Sequence, residues 1–408
     1  MRNIRFGLKV LSCFLGLYIL SQNIVAAPIL TLAQAYSVAL SRNESIQVQQ
    51  QKIDEAQARY QEGVSAAGSP YVGLVGSQKL QGSSTSVPEY KVAVKQPLFD
   101  GLRDQDSIAA LKSLVVKEQW LLIQAKRELA LQIATAYFSV LQLEKDVQNL
   151  HMIQGLAMSR LADLRQRVRL GKSRQSDILS SEAQVLGFKA QEAYIQGQLT
   201  AAEMQLENLM GGGQGPFNTV DITYSTETAP YKIETRADLQ AIKQELESLQ
   251  ASALSASHGL LPNLAFGANY YVKRTDALDP INWDMTLSGE WPLLSGIVQP
   301  GMAIADSLVK QIESTYALQL RQVTVTLKTD EALLQASLAQ KSLLEEATKK
   351  LKQSYDSVQN DYVLGLVNNQ DVLTTLSAYL ESKRSLDASM VACQLKATQI
   401  KLDKEEPL

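Results

Sequence analysis

Histidine and cysteine are almost missing from this sequence, which holds two of each among 408 residues. A metal site built on those ligands, or a cysteine-histidine nucleophile pair, therefore has almost no raw material. Long apolar runs are missing as well: beyond residue 27 no stretch reaches the roughly eighteen apolar residues that carry a helix across a bilayer. If the chain enters a membrane, it must do so as strands of a closed barrel, because lipid offers no partner to a bare backbone edge. An excess of positive charge is also lacking. The formal net charge is −3, which argues against nucleic acid as a partner. No motif assembles a nucleophile, a base and an orienting group, so an enzyme is not expected, and neither are catalytic residues, a cofactor or a metal.

What is present begins with a targeting segment. Arg2, Arg5 and Lys9 precede an apolar run from Val10 to Leu20 and the small residues Val25, Ala26 and Ala27. That order reads as a secretory signal peptide cleaved near Ala27. Cys13 weakly imitates a lipoprotein site, but it interrupts the apolar run instead of ending it, so no lipid anchor is expected. Losing the three basic residues takes the formal net charge from −3 to −6. Cys393 then remains as the one mature cysteine, which allows no intramolecular disulfide.

The chain also repeats itself. Gln96-Pro97-Leu98-Phe99-Asp100-Gly101 returns as Trp291-Pro292-Leu293-Leu294-Ser295-Gly296, an offset of 195 residues. Leu170-Gly171 with Asp177 and Leu179 returns as Leu364-Gly365 with Asp371 and Leu373, an offset of 194. Two motifs of different chemistry in nearly one register mark an internal duplication. In each half a helix ends near a proline, at Ser69-Pro70 or Leu261-Pro262, and two alternating segments follow. Tyr90, Val92 and Val94 alternate with Lys91, Ala93 and Lys95. Leu264, Phe266, Ala268, Tyr270 and Val272 alternate with smaller or polar neighbours, and Trp283, Met285 and Leu287 alternate with Asp284, Thr286 and Ser288. Period two over about ten residues is the pattern of strands that cross a bilayer when tilted. Ser83 to Pro88 and Arg274 to Asn282 are then outer loops. Tyr71, Tyr90, Phe266, Tyr270, Tyr271, Trp283 and Trp291 lie in or beside these strands, as rings of a headgroup girdle do, although which of them face lipid depends on register. Four strands cannot close a barrel, whose smallest known membrane form has about eight, so copies must share one; three copies give twelve.

Proline is absent from Arg103 to Leu170, and glycine occurs there once inside the span, at Gly155. A ladder of period seven runs through Ile108, Val115, Leu122, Leu129, Ala136, Leu143, Leu150, Ala157 and Leu164, which specifies helices wound on one another. Such a segment reaches about 100 Å. The second half copies it from Met302 to Leu364, with Val309, Tyr316, Val323, Leu344, Leu351 and Val358. Returning helices follow at Asp177 to Met210 and Asp371 to Asp403. In the latter, Val372, Tyr379, Leu386 and Cys393 form a ladder that makes Cys393 a packed apolar residue. Trp120, His151 and His258 stand without evident partners and read as structural or exposed. Gly211 to Pro216 breaks the helix, and no lysine follows at phosphate-loop spacing, so it reads as a connector. The organisation is therefore a signal peptide over 1–27, a first repeat over 28–210, a linker over 211–234, a second repeat over 235–403 and a tail over 404–408.

Several motifs, taken in order and with their spacing, resemble the outer-membrane efflux family of TolC-like outer membrane factors. They are Leu30-Thr31-Leu32-Ala33-Gln34-Ala35, the Gln96 to Gly101 run, Ala134-Thr135-Ala136-Tyr137-Phe138 and the two Leu-Gly to Asp-x-Leu tips, which together span residues 30 to 403. The resemblance implies a mainly α fold with a small membrane β-barrel part. In it a homotrimer of the TolC-like kind puts four strands per chain into a shared twelve-stranded barrel in the outer membrane of a Gram-negative bacterium. Long coiled-coil helices build a periplasmic α-barrel beneath it. It also implies an exit duct for small molecules, drugs or secreted protein, fed by a periplasmic adaptor and an inner-membrane pump of the RND, ABC or MFS type. Asp371 falls where the family places an acidic ring at the inner constriction, and Thr374 stands where a second acid can occur. Tyr362 and Asp177 match positions that join neighbouring helices at the closed tip, and Val367 replaces a basic residue that can assist. Leu170, Gly171, Ser173, Leu364 and Gly365 match the tips presented to adaptors, and Pro97, Gly101, Pro292 and Gly296 mark the strand-helix junctions. Asp177 and Asp371 are equally readable as helix N-caps and the two glycines as helix ends, and each can hold both roles. A duct dedicated to type I protein secretion is a narrower alternative. A periplasmic coiled-coil scaffold without a pore explains the heptads and leaves the strand pairs without purpose.

Overall fold

The computed structural model describes residues 29–78, 80–81, 84–85, 88–212, 217–221, 231–273, 281–293 and 296–406. The signal segment with Cys13, most of both outer loops, Leu294 and Ser295, and much of the connector and linker lie outside the described residues.

The chain opens with β1 (Ile29–Leu30) and α1 (Leu32–Arg42). A reciprocal capping box starts α1: Thr31 Oγ1 accepts from the Gln34 N–H at 3.3 Å, and Gln34 Oε1 accepts from the Thr31 N–H at 3.0 Å. After a joint at Asn43 comes α2 (Glu44–Gly68), which ends before Pro70. Strands β2 (Tyr71–Ser77), β3 (Leu80–Gln81), β4 (Ser84–Thr85) and β5 (Glu89–Phe99) lead into α3 (Arg103–Arg169), and α4 (Gln175–Leu209) returns. A short β6 (Asn218–Thr219) pairs in parallel with β1. The second half runs α5 (Ala237–Ser257), β7 (Asn263–Lys273), β8 (Trp283–Glu290), α6 (Val298–Leu364) and α7 (Asn369–Asp403). Both long helices have 67 residues and both returning helices 35.

Three helix starts depart from expectation: α4 and α7 begin two residues before Asp177 and Asp371, at Gln175 and Asn369. Helix α6 begins at Val298 and takes Pro300 into its first turn, four residues before the anticipated Met302. Proline is tolerated there because first-turn N–H groups have no intrahelical acceptor.

The helices form a curtain. Next to the strands the order of packing is α2, α3, α5, α6; toward the far tips it is α4, α3, α7, α6. Helix α3 is interior throughout, and its heptad ladder explains why: Leu129, Ala136, Leu150, Ala157 and Leu164 are buried and the other members half-buried. Around Ile133, Tyr137 and Phe138 lies the largest apolar cluster, with α1, the end of α4 and Phe217 packed on it. The Tyr137 hydroxyl closes it by accepting the Val220 N–H at 2.9 Å and donating to the Leu30 carbonyl at 2.9 Å. Cys393 is fully buried in α7. Each histidine meets a carboxylate, His151 with Glu192 and His258 with Asp106, so neither is the lone residue that the sequence suggested.

All four long strands form one antiparallel sheet in the order β2, β5, β7, β8, leaving β2 and β8 as open edges. Its register assigns the faces. Val72, Leu74, Tyr90, Val92, Val94, Phe266, Tyr270, Val272, Trp283, Met285 and Leu287 share one apolar face. Tyr71, Lys91, Ala93, Lys95, Gly267, Asn269, Tyr271, Asp284 and Thr286 share the other. The aromatics are thereby sorted: Tyr90, Phe266, Tyr270 and Trp283 belong to the apolar face, whereas Tyr71 and Tyr271 do not. No helix among the described residues is long and apolar enough to cross a membrane.

A buried ion cluster fastens the middle of the curtain, where α5 begins and α7 ends. Arg236 donates to both Asp238 carboxylate oxygens at 3.0 Å and to Asp403 at 3.3 Å, Arg127 of α3 lies 3.6 Å from Asp238, and Glu405 accepts the Ala237 N–H at 2.6 Å. Burial alone would raise the Asp238 pKa, but the hydrogen bonds and charge of Arg236, with Arg127 behind it, hold it below its usual range. A lowered carboxylate pKa adds stability that is complete above the unfolded value and lost as pH falls through the folded one. Asp238→Asn should therefore destabilise the protein by about 3 kcal/mol at neutral pH, because it strands a buried arginine. The gap to wild type should narrow below about pH 4, as the wild-type carboxylate takes up its proton. Thermal unfolding by circular dichroism at pH 7 and pH 3 checks this; an equal deficit at both would rule out the carboxylate's charge as its source.

Candidate functional site at the helical tips

The sheet lies at one end of the curtain, and the turns between long and returning helices lie at the other. Both turns end a helix in the same way. The Gly171 N–H donates to the Val168 carbonyl at 3.0 Å and the Lys172 N–H to that of Arg167 at 2.9 Å. The Gly365 N–H likewise donates to Tyr362 at 3.1 Å and that of Leu366 to Asp361 at 2.9 Å. This closure needs a left-handed residue, and φ is +72° at Gly171 and +79° at Gly365. A Cβ at either glycine would meet nothing within 4 Å, so the glycine is required by the backbone and not by crowding. Leu170, Leu364 and Leu366 beside them are 62%, 72% and 73% exposed, which nothing in the folding of a single chain demands.

The returning helix α7 starts on a reciprocal capping box and α4 on half of one, because Arg174 at its N-cap has no side-chain acceptor and the Asp177 N–H donates to the Arg174 carbonyl at 3.1 Å instead. Asp177 Oδ2 accepts the Arg174 N–H at 3.2 Å; Asp371 Oδ2 accepts the Asn368 N–H at 3.1 Å while Asn368 Oδ1 accepts the Asp371 N–H at 3.0 Å. The N-cap residues are thus Arg174 and Asn368; Asp177 and Asp371 are not the N-caps that were expected but stand three positions on, where their carboxylates accept the cap residue's N–H from inside the first turn. A carboxylate at a helix N-terminus is also favoured by the helix dipole. Asp371 is exposed and Asp177 half-buried. Thr374 turns its hydroxyl back onto the Gln370 carbonyl at 2.9 Å, and Val367 is half-buried.

Tyr362 joins the two hairpins, but its hydroxyl meets Ser173 Oγ at 3.2 Å, while the Asp177 carboxylate is spent on its own cap. The Tyr362 ring sits between two guanidinium groups, Arg160 at 4.3 Å and Arg167 at 5.2 Å from its centre. Arg160 is 5% exposed and grips Asn369 Oδ1 through Nη2 at 2.8 Å and Nε at 3.3 Å. Asn369 passes the link on, donating to Ser181 Oγ at 3.2 Å and to the Asp177 carbonyl at 3.4 Å. Three helices, α3, α4 and α7, are thus tied through one buried amide. Burial pulls the Arg160 pKa down from its usual value, yet arginine stays charged in proteins. A cleft of about 480 Å³ opens beside it, lined by Arg160, Asp163, Arg167, Leu170, Lys172 and Tyr362 among others. Neither Arg160 nor Asn369 was anticipated. The signal was available at Arg160, which stands three residues after Ala157 on the apolar seam of α3, where a charge must find a partner.

The four junction residues lie at the opposite end of the long helices, about 100 Å from the tips. Gly101 is compelled by structure: φ is +76°, and a Cβ would stand 2.9 Å from Leu261 Cβ and 3.1 Å from the His258 carbonyl. Pro97 lies inside β5 and not at its junction, opposite Ala265, where the register then shifts before Phe99. Proline lacks the N–H for a regular ladder and is accommodated at such an irregularity. Pro292 follows the end of β8, and Gly296 precedes α6 with open space around it.

Comparison with known proteins fits this architecture. No curated protein matches the sequence. Solved structures do. CusC superposes with a TM-score of 0.83 at 17% identity, covering 92% of each chain. VceC from Vibrio cholerae gives 0.79 at 17%, covering 91% of this chain and 94% of its own. The open state of the MtrE outer membrane channel from Neisseria gonorrhoeae gives 0.79 at 15%, covering 92% and 89%. At such identities the likeness is one of fold. The sequence profile described as "Outer membrane efflux protein" matches residues 35–212 and 232–404, most of the chain in two segments, and the protein belongs to the outer membrane efflux protein family.

Proposed function

We propose that three copies of the mature chain, released by cleavage near Ala27, close into one tunnel that is the exit duct of a tripartite export system. A periplasmic adaptor and an inner-membrane pump of the RND, ABC or MFS type would feed it, and the pump would choose the cargo. The observation that carries this reading is a pair of bare edges facing opposite ways. Helix α4 buries Ile178, Val185, Phe188, Ile195, Leu199 and Leu206 against its neighbours, yet leaves Leu179, Leu186, Tyr194 and Met204 exposed on the opposite side. At the other edge α6 exposes Ile304, Leu308, Leu318, Val325, Leu333 and Leu343, all within about 100° of its circumference. An apolar stripe on a helix marks the face that packs. Edge strand β2 follows α2 and edge strand β8 precedes α6, so sheet and helices are open along the same two borders. Different faces meeting head to tail make a ring when the rotation closes. Three chains of four strands would give a twelve-stranded barrel whose apolar face meets outer-membrane lipid, within the range of known membrane barrels.

At the inner end Asp371 of each copy would form a single acidic ring that favours cations. The Tyr362 to Ser173 contact would help hold the tips together, with Asp177 serving through its cap and its carbonyl. Leu170, Gly171, Ser173, Leu364 and Gly365 would meet the adaptor, which gives the exposed tip leucines a partner. The internal duplication makes the two hairpins of each copy near-equivalent docking sites.

In planar bilayers the purified protein should form a small, cation-preferring pore. Asp371→Ala combined with Tyr362→Phe should widen it and weaken the preference; unchanged conductance and selectivity would discard the gate assignment. Gly365→Trp should abolish export of a pump substrate in cells while oligomers remain in the outer membrane. Disappearance of the oligomers would instead assign Gly365 to folding, through the strain of about 1–2 kcal/mol that a left-handed non-glycine residue carries.

A further inference from the structure

We infer that Lys95 forms a basic collar inside the barrel, a second selectivity element opposite in sign to the tip, which favours anionic groups in whatever passes outward. The inference rests on the exit-duct reading, since it needs copies around a common axis.

The sheet supplies the placement. Lys95 is exposed on the polar face, near the middle of β5, β7 and β8 and level with the start of β2, and its cross-strand neighbours at that level are Tyr71, Gly267 and Thr286, none of them charged. The other charges of that face are either near strand ends or already engaged. Glu89 and Lys273 lie toward the outer loops and Glu290 at the end beside the helices. Lys91 sits over the Tyr271 ring at 5.4 Å, and the Tyr271 hydroxyl donates to Asp284 at 2.7 Å, where Asn269 also donates at 2.8 Å. Lys91 and Asp284 thus belong to one mixed-charge group spread over the next two levels outward, whereas Lys95 stands below it, opposite Tyr71, whose ring leans over Gly73, and beside Gly267, which carries no side chain.

Geometry makes three such lysines act together. Twelve strands about 4.8 Å apart and tilted by about 40° enclose a backbone ring about 24 Å across. A lysine reaching about 6 Å inward leaves each ammonium about 6 Å from the axis, inside the Debye length of about 8 Å at physiological salt. Three unit charges at that distance in water, screened accordingly, enrich a monovalent anion on the axis by about five-fold and a trivalent one by about a hundred-fold. Rings of lysine or arginine are the means by which pores select anions and phosphates, and lumen residues of membrane barrels tune selectivity without burdening the fold.

The test is block of single-channel current by inorganic tripolyphosphate added to the outer side of wild-type protein, Lys95→Gln and Lys95→Arg in planar bilayers. The expected result is that wild type and Lys95→Arg are blocked at similar concentrations and that Lys95→Gln needs at least ten-fold more. Should Lys95→Gln not assemble, Lys95→Thr is read in the same way. Equal block of all conducting variants would overturn the collar while leaving the duct intact; absence of any conducting pore in wild type would overturn the duct and the collar together.

Discussion

Unpaired backbone at the border of a sheet is the constraint on which the rest of this molecule depends. Water satisfies the open N–H and C=O groups of an edge strand, but hydrocarbon does not, so a sheet that meets lipid must have no edge. Strands β2 and β8 leave the sheet of one chain open. The helices state the same requirement in apolar surface, because α4 and α6 keep bare stripes along the matching borders. On the proposed assembly, one step would satisfy both.

Within one chain the long seam between α3 and α7 is held in a different manner. Asp146 takes a bidentate grip from Arg384 at 3.1 Å, Asn149 donates to Asp387 at 2.7 Å, and Arg160 holds Asn369 nearer the tip. Desolvation offsets most of the attraction in such buried pairs, so they add little net stability, but removing one partner is costly. A slip of the seam would strand several charges at once, which gives a repeating apolar ladder a single register. The tip machinery therefore rests on helices whose mutual height is set by polar contacts well away from it.

Much of this was legible in the residues. The period-seven ladder of α3 and the period-two texture of β7 and β8 survive in the structure because each reports a face that one chain already buries or pairs. Helix α6 starts four residues before Met302, and Pro300 fits there as a first-turn residue. Pro97, read as a junction residue through the resemblance, lies within β5, where a register shift accommodates it. Of the tip, the glycine turns and a part for Asp177 and Asp371 at the helix starts were readable, since they rest on residues adjacent in sequence, although the N-caps themselves are Arg174 and Asn368. The Arg160 to Asn369 link and the Arg127, Arg236 and Asp238 cluster were not, because they join positions whose nearness depends on how long helices align. The sorting of Tyr71 from Tyr90 likewise needed the cross-strand register.

The central claim is that one chain is an incomplete wall. Its most direct measurement is the protein mass of the purified, detergent-solubilised particle from outer membranes, by native mass spectrometry before and after heating. The account predicts three chains per particle, separating into single chains only on unfolding. A folded, water-soluble single chain in the periplasmic fraction would contradict it.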